Sequence, residues 1–324
     1  MKFTEKMLQD YSAPLSKTED EKCKNVIGMI RDALKGLGFS DGGRSISPLF
    51  EDTYAYNLEL NTPDYDKKVK ILIQGSYANN TNVKGKSDVD VAVILESTFR
   101  VKYRSDSSSY PQHDADYGFG TSTYTVKQFK DDVEVCLKKK FGSDYVERHN
   151  KSIKIIGNSY HNQADTVPCQ RYKDYSGDFR KDSSNYIGGI AVYPDNGGMI
   201  INYPEQHIHN GAIKNTTTGH RYKKQVRIMK KMRYLMSDYR YQEAEKVSSF
   251  GLESLLWNIP DEVYERYSLL GFNFDEVLNY LGNHDISNYK EANGIKPLFE
   301  RQIDKQNYIS FLIALRRFFE YDYE

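Results

Sequence analysis

Two aspartates one residue apart, Asp88-Val89-Asp90, open the run SDVDVAVIL, a short way downstream of a Gly75-Ser76 step. On a strand, residues i and i+2 share a face, roughly 6.5 Å apart along the chain. Carboxylates held side by side among Val91, Val93 and Ile94 repel each other unless a cation sits between them. Oxygen ligands at this spacing suit Mg²⁺, with Mn²⁺ as the alternative, because such an ion keeps substrate phosphates and waters as its other ligands. A third acid should come from a neighbouring strand. Asp165, inside the otherwise apolar stretch Ala164–Val167, is the candidate. Three carboxylates and two cations about 3.5–4 Å apart form a clamp for in-line attack at phosphorus, one ion activating a hydroxyl and the other neutralising the leaving pyrophosphate. Asp165 is also the candidate for taking the hydroxyl proton. Gly75 would let the backbone approach a phosphate closely, and Ser76 would offer a hydroxyl and an amide at a helix start. A lone DxD or Gly-Ser carries little information. The ordered set of strand, Gly-Ser, short helix, DxD and downstream strand aspartate carries much more.

These residues need a sheet to hold them. The run KKVKILIQ, ending at Gly75, reads as a buried strand, and VDVAVIL as a strand buried on both faces. Residues 17–37 have the spacing of an amphipathic helix stopped by Gly36, Gly38 and Gly42-Gly43, whereas 44–66 fits no single element. Residues 100–124, rich in Tyr, Ser and Gly, read as one long mobile loop. A helix follows from about Val126 to Lys140, then strands at 152–157 and at Ala164–Val167, the latter ended by Pro168. A hairpin is expected around Asp195-Asn196-Gly197-Gly198. From Arg221 the pattern turns helical, at 221–238, 247–257, 261–269, 274–281 and 305–321. The expected fold class is α/β (α+β), bilobal: a mixed-sheet catalytic lobe over 1–215 and a helical lobe over 216–324.

Composition narrows the partners. The 324 residues carry 45 basic and 45 acidic side chains, so an extended nucleic-acid-coating surface is not expected. The window Lys214–Arg233 nevertheless holds eight Lys or Arg and no acid, as a focused triphosphate site would require. No apolar run approaches the roughly 18 residues of a membrane helix, and no signal-like segment opens the chain. Cys23, Cys136 and Cys169 are too scattered for a disulfide framework, which fits a cytoplasmic protein. His207 and His209 form an isolated H-x-H, expected as surface or hydrogen-bonded residues.

The segment GSYANNTNVKGKSDVDVAVIL resembles the polymerase-β-type nucleotidyltransferases, whose signature is Gly-Ser, a short helix and paired acids. Within that superfamily it is similar to the CD-NTases, bacterial relatives of cyclic GMP-AMP synthase and oligoadenylate synthetase. ADTVPC resembles their third-aspartate strand. INYPEQHIHNGAIKN, YKKQVRIMKKMRYL and VSSFGLESLLWNIP resemble the entry to their helical lobe, so the likeness spans roughly residues 65–260. It implies metal binding by Asp88, Asp90 and Asp165, and contact of Gly75 and Ser76 with the donor triphosphate. It also implies phosphate contacts from Lys230 and Ser249, and base stacking on Phe250. The basic helix alone does not choose between Lys230 and Lys231. Asn80-Thr81 stands where the family has Gly-Thr, and Asn is the next best residue for a left-handed turn.

The resemblance implies an enzyme that joins nucleoside triphosphates (ATP with GTP, UTP or CTP) into a cyclic di- or trinucleotide that acts on a separate effector in antiphage (CBASS) signalling. With no zinc-like Cys/His cluster, no nucleic-acid activator is expected. The alternatives are a linear oligonucleotide or tRNA-end nucleotidyltransferase, a toxin-like protein-modifying enzyme, and a silent nucleotide-binding module.

Overall fold

A computed structural model describes residues 2–41, 57–61, 68–85, 88–104 and 112–322. Most of 44–66, the Gly42-Gly43 stop and the centre of the 100–124 segment lie outside them. In chain order the elements are β1 (Lys2–Phe3), α1 (Glu5–Ser12), α2 (Lys17–Lys35), β2 (Ser40–Asp41), β3 (Asn57–Asn61), β4 (Lys68–Gln74), α3 (Gly75–Ala78) and β5 (Val89–Lys102). Then come α4 (Val126–Phe141), β6 (Val146–Arg148), β7 (Ile153–Ile155), β8 (Ala164–Asp174), β9 (Ile187–Val192) and β10 (Ile200–Asn202). The remainder is α5 (Pro204–Thr217), α6 (Tyr222–Asp238), α7 (Gln242–Glu245), α8 (Ser249–Trp257), α9 (Asp261–Glu265), α10 (Leu270–Asn283), α11 (Gln302–Phe318) and β11 (Glu320–Tyr321).

One mixed sheet carries the first core, in the order β10-β9-β8-β5-β4-β3-β2, with β6 and β7 extending from β8. β5 lies at its centre, antiparallel to β4 and parallel to β8. Val89 and Val91–Leu95 are fully buried, which is what a continuous apolar run in a two-sided strand demands. One cover is α2, whose Ser16 hydroxyl and Glu19 carboxylate cap its start reciprocally and whose Val26, Ile27, Ile30 and Leu34 face inward. Phe129, Val133 and Leu137 of α4 join the same core.

Several sequence expectations need correction. β5 runs on to Lys102, so the 100–124 segment begins as strand and includes a short helical turn at Asp114–Tyr117. Pro168 does not end its strand, which continues to Asp174. It falls between the stretch paired with β7, ending at Thr166, and the stretch paired with β9, beginning at Gln170. A missing N–H is tolerated at such a gap. Helix α5 was not anticipated, because its polar run PEQHIHNGAIKN has weak apolar periodicity. The expected 261–269 helix ends at Glu265, and α10 starts at Leu270.

A second core gathers α6, α8, α10 and α11 around Met229, Met232, Leu255, Phe274 and Phe311. The N-terminus belongs to it: Phe3 and Leu8 are fully buried there. β1 pairs in parallel with β11, and the Glu5 carboxylate accepts the backbone N–H groups of Leu270 (2.9 Å) and Gly271 (3.0 Å) at the start of α10. The chain thus begins and ends in one place. Phe3 stacks on Phe319 with ring centroids 5.5 Å apart. Phe3→Ala should therefore cost about 3–5 kcal/mol, read by urea unfolding of Trp257, which packs on this core. Val135→Ala, at a position 66% exposed on α4, should change stability by no more than about 0.5 kcal/mol.

Candidate active site

The aspartates sit at one end of the sheet. Gln74 pairs with Asp90 across β4 and β5, and Asp90 pairs with Asp165 across β5 and β8, so the two acids lie abreast on adjacent parallel strands. Asp88 precedes the strand and is exposed, in contrast to the buried position its apolar surroundings led us to expect. Asp90 is half-buried. Its carboxyl is pushed up to about 7, first by burial and then by the charges of Asp165 and Asp88, with Lys230 opposing. The Ser152 hydroxyl donates to one oxygen of Asp165 at 3.0 Å.

At Gly75 the chain turns from β4 into α3 with φ +70°. A Cβ there would stand 2.1 Å from Asp90 Oδ2, so the glycine is required by the aspartate as well as by the turn. Ser76 follows, and its Oγ accepts from Lys230 Nζ at 3.0 Å. Asn80 takes φ +52°, the left-handed turn expected of it.

Gln74, Gly75, Ser76, Asn79 and Asp90 form one wall of a cavity of about 410 Å³. His207 of α5, Ser249, Phe250 and Glu253 of α8, and Glu291 with Asn293 of the loop between α10 and α11 form the other. Phe250 is 47% exposed at its mouth, its ring 5.0 Å from that of His207. Ser249 Oγ accepts from Arg233 Nη1 at 3.4 Å. The structure therefore brings Gly75, Ser76, Asp90, Ser249 and Phe250 to one cavity. Asp165 stands beside Asp90, Asp88 precedes it, and Lys230 lies behind Ser76.

The basic helix departs from expectation. Its cations serve as internal struts: Arg227 donates to the carbonyls of Ser12 and Asn80, and Arg233 to those of Ala244 and Val247, while Lys214, on α5 before it, pairs with Asp261. Lys230 is 1% exposed and paired with Glu253 at 2.6 Å. Removing Lys230 would strand a buried carboxylate, an outcome that typically costs 3–5 kcal/mol in itself.

Sequence reasoning missed Glu253, Asn79 and Thr81, and placed His207 among surface or hydrogen-bonded residues. His207 is hydrogen-bonded and buried, its Nε2–H donating to the Glu253 carboxylate at 3.0 Å. The available signal was a single acid inside the apolar run GLESLLW of α8.

Among the described residues no three His, Cys, Asp or Glu side chains are grouped so that together they could hold a metal ion. The chemistry of the aspartates still fits a hard divalent cation: they supply oxygen donors only, and their mutual repulsion at Asp90 is what such an ion relieves.

A mixed sheet with Gly-Ser and paired acids at its end, facing a helical lobe, defines a nucleotidyltransferase. Residues 58–156 match the nucleotidyltransferase domain, and 209–320 match the cGAS/DncV-like nucleotidyltransferase C-terminal helical domain. The chain is 44% identical to cyclic GMP-AMP synthase CdnE03 of Staphylococcus schleiferi over 100% of its own length and 99% of that protein's. It is 35% identical to the cyclic dipyrimidine nucleotide synthase CdnE of Legionella pneumophila, over 91% and 90% of the two chains. The Rhodothermus marinus CdnE c-UMP-AMP synthase, solved with Apcpp and Upnpp, superposes with TM-score 0.75 at 29% identity, covering 97% and 96%. The chain belongs to the CD-NTase family and is a nucleotidyltransferase that makes cyclic oligonucleotides. The likeness extends through the C-terminal helices, beyond the 65–260 span legible from motifs. Among the described residues no helix is long and apolar enough to cross a membrane.

Gly75→Ala forces Asp90 aside and strains the turn. It should lower stability by roughly 1–3 kcal/mol, read by urea denaturation. It should also slow nucleotide turnover about a hundredfold, read by pyrophosphate release.

Proposed function

We propose that the enzyme joins two nucleoside triphosphates, ATP and GTP before other pairs, into a cyclic dinucleotide with release of two pyrophosphates. The convergence of Asp90, Gly75-Ser76 and Phe250 on one cavity carries this reading, and the full-length similarity to a cyclic GMP-AMP synthase supports the choice of bases. The division into a catalytic lobe through about residue 215 and a helical lobe beyond it agrees with two cores, although β1 and α1 pack on the second.

Each half-reaction has the same balance. A ribose hydroxyl of one nucleotide attacks the α-phosphorus of the other, a P–O bond forms, the bond to the β-phosphate oxygen breaks, and pyrophosphate leaves. Asp88, Asp90 and Asp165 would hold divalent cations, Mg²⁺ or Mn²⁺, which when bound would neutralise the triphosphate and acidify the hydroxyl. Asp165 takes the hydroxyl proton. Gly75 and Ser76 receive the donor triphosphate, with Lys230 and Ser249 supporting it. Phe250 stacks the base, a contact worth about 1–3 kcal/mol and tolerant of base identity. The linear intermediate then turns its own hydroxyl back to the same acids and closes the ring. The product acts on a separate effector in antiphage signalling, in the bacterial cytoplasm and without an obligatory nucleic acid.

Incubation with all four radiolabelled triphosphates and Mg²⁺, followed by phosphatase and mass identification, should yield a phosphatase-resistant cyclic species. A main product degraded to nucleosides by phosphatase and 3′ exonuclease would instead be linear. Asp88→Asn combined with Asp90→Asn should abolish product and raise the metal-free melting temperature, because like charges are removed. A double variant with wild-type turnover would overturn the metal assignment.

A further inference from the structure

The geometry points to Glu253 as the positioning residue of the donor-phosphate site, acting through Lys230 to fix which way the Ser76 hydroxyl donates. This deepens the functional reading above and rests on it for the identity of the anion.

Glu253 is 2% exposed, yet its two oxygens take four donors. Oε1 accepts from Asn79 Nδ2 at 2.8 Å and faces His207 Nε2 at 3.0 Å. Oε2 accepts from Thr81 Oγ1 at 2.7 Å and from Lys230 Nζ at 2.6 Å. These donors come from the turn after α3, from α5 and from α6, so one carboxylate on α8 ties both lobes together at the cavity wall.

The polarity of the chain of bonds follows from proton counting. A lysine ammonium has three protons and accepts nothing. Those of Lys230 go to Glu253 Oε2, to Ser76 Oγ (3.0 Å) and to Thr81, whose Oγ1 (2.9 Å) and carbonyl (3.4 Å) share the third. Ser76 Oγ is therefore an acceptor on its buried side. Its single O–H proton must point elsewhere, and Ser76 lines the cavity beside Gly75 and Asp90. The hydroxyl is oriented as a donor toward an anion there. Thr81 fits the same pattern, accepting from Lys230 and donating to Glu253. Without Glu253, Lys230 has no fixed position, and Ser76 is free to spend its proton on the protein. The same carboxylate sets the His207 ring, which packs against Phe250.

Phosphate-dependent binding is the readout that a purely structural role would not move. In Glu253→Gln, the affinity for α,β-methylene-ATP should fall about tenfold or more, as expected for a lost charge-assisted bond, with AMP affinity changed by less than about twofold. In a Ser76→Ala background the same substitution should add less than about twofold, because its effect passes through that hydroxyl. Equal losses for the two nucleotides, or full additivity with Ser76→Ala, would overturn the assignment. If Glu253→Gln does not fold, Thr81→Val, which is isosteric and leaves the Lys230–Glu253 pair in place, should show the same selectivity for the triphosphate at smaller amplitude, and equal losses there would likewise overturn it. A wild-type enzyme that makes no cyclic product while the variants still lose triphosphate selectively would refute the functional reading and leave the role of Glu253 standing.

Discussion

A carboxylate and an ammonium buried together cost more to desolvate than they return unless every remaining lone pair and proton is used. Glu253 and Lys230 meet that demand, and much of the junction between the lobes follows from it. The pair needs Asn79 and Thr81 from the turn after α3, His207 from α5 and Ser76 from α3 itself. Satisfying one ion pair thus fixes the relative placement of the sheet end, α5, α6 and α8. Burial would raise the Glu253 carboxyl, but Lys230 and His207 together hold it far below the usual carboxylate range, so it stays ionised. A substrate approaching this wall meets a set of dipoles already aligned.

Opposite that satisfied pair stands an unsatisfied one. Asp90 and Asp165 occupy matched positions on parallel strands, and nothing among the described side chains balances both. The contrast divides the cavity into a wall that is neutral overall and a floor with surplus negative charge. A triphosphate alone is repelled by such a floor, whereas one carrying divalent cations is attracted. Gly75 belongs to the same logic: a side chain there would collide with the Asp90 carboxylate, so the turn and the acid constrain each other.

The parts of the molecule governed by local periodicity were legible in the sequence. The apolar runs of β4 and β5, the spacing of Val26, Ile27, Ile30 and Leu34 in α2, and the Gly197-Gly198 hairpin all appear as expected. Motif order likewise led to Gly75, Ser76 and Asp90. What stayed hidden depends on long-range partners. The cations of α6 looked like an open phosphate-binding face because their acceptors, among them Glu253 and the carbonyls of Asn80 and Val247, lie elsewhere in the chain. Helix α5 was hidden because its buried side includes His207 and Asn215 as well as Ile208, and that mixture blurs the apolar pattern. The attachment of the N-terminus to the second core was hidden because two-residue strands such as β1 and β11 have no sequence signature.

Ring closure places a demand that a single nucleotide transfer does not, since donor and acceptor must be held together and then exchange roles. Effective concentrations of well-oriented groups supply much of such a rate, provided the cleft does not have to be rebuilt each time. Here the lobes are bridged on several sides. Arg227 of α6 reaches the carbonyl of Asn80, Lys296 donates to the carbonyl of Ile201 on β10 at 3.2 Å, and Asn210 of α5 holds the carbonyl of Ala292 at 2.8 Å. The last two anchor the loop that carries Glu291 and Asn293 over the cavity, while the strap formed by β1 and α1 closes the helical core behind it. The cleft is therefore framed by side-chain donors that reach backbone carbonyls across the junction in both directions. That frame is made of part-buried hydrogen bonds to backbone carbonyls, whereas Phe250 stands exposed at its mouth.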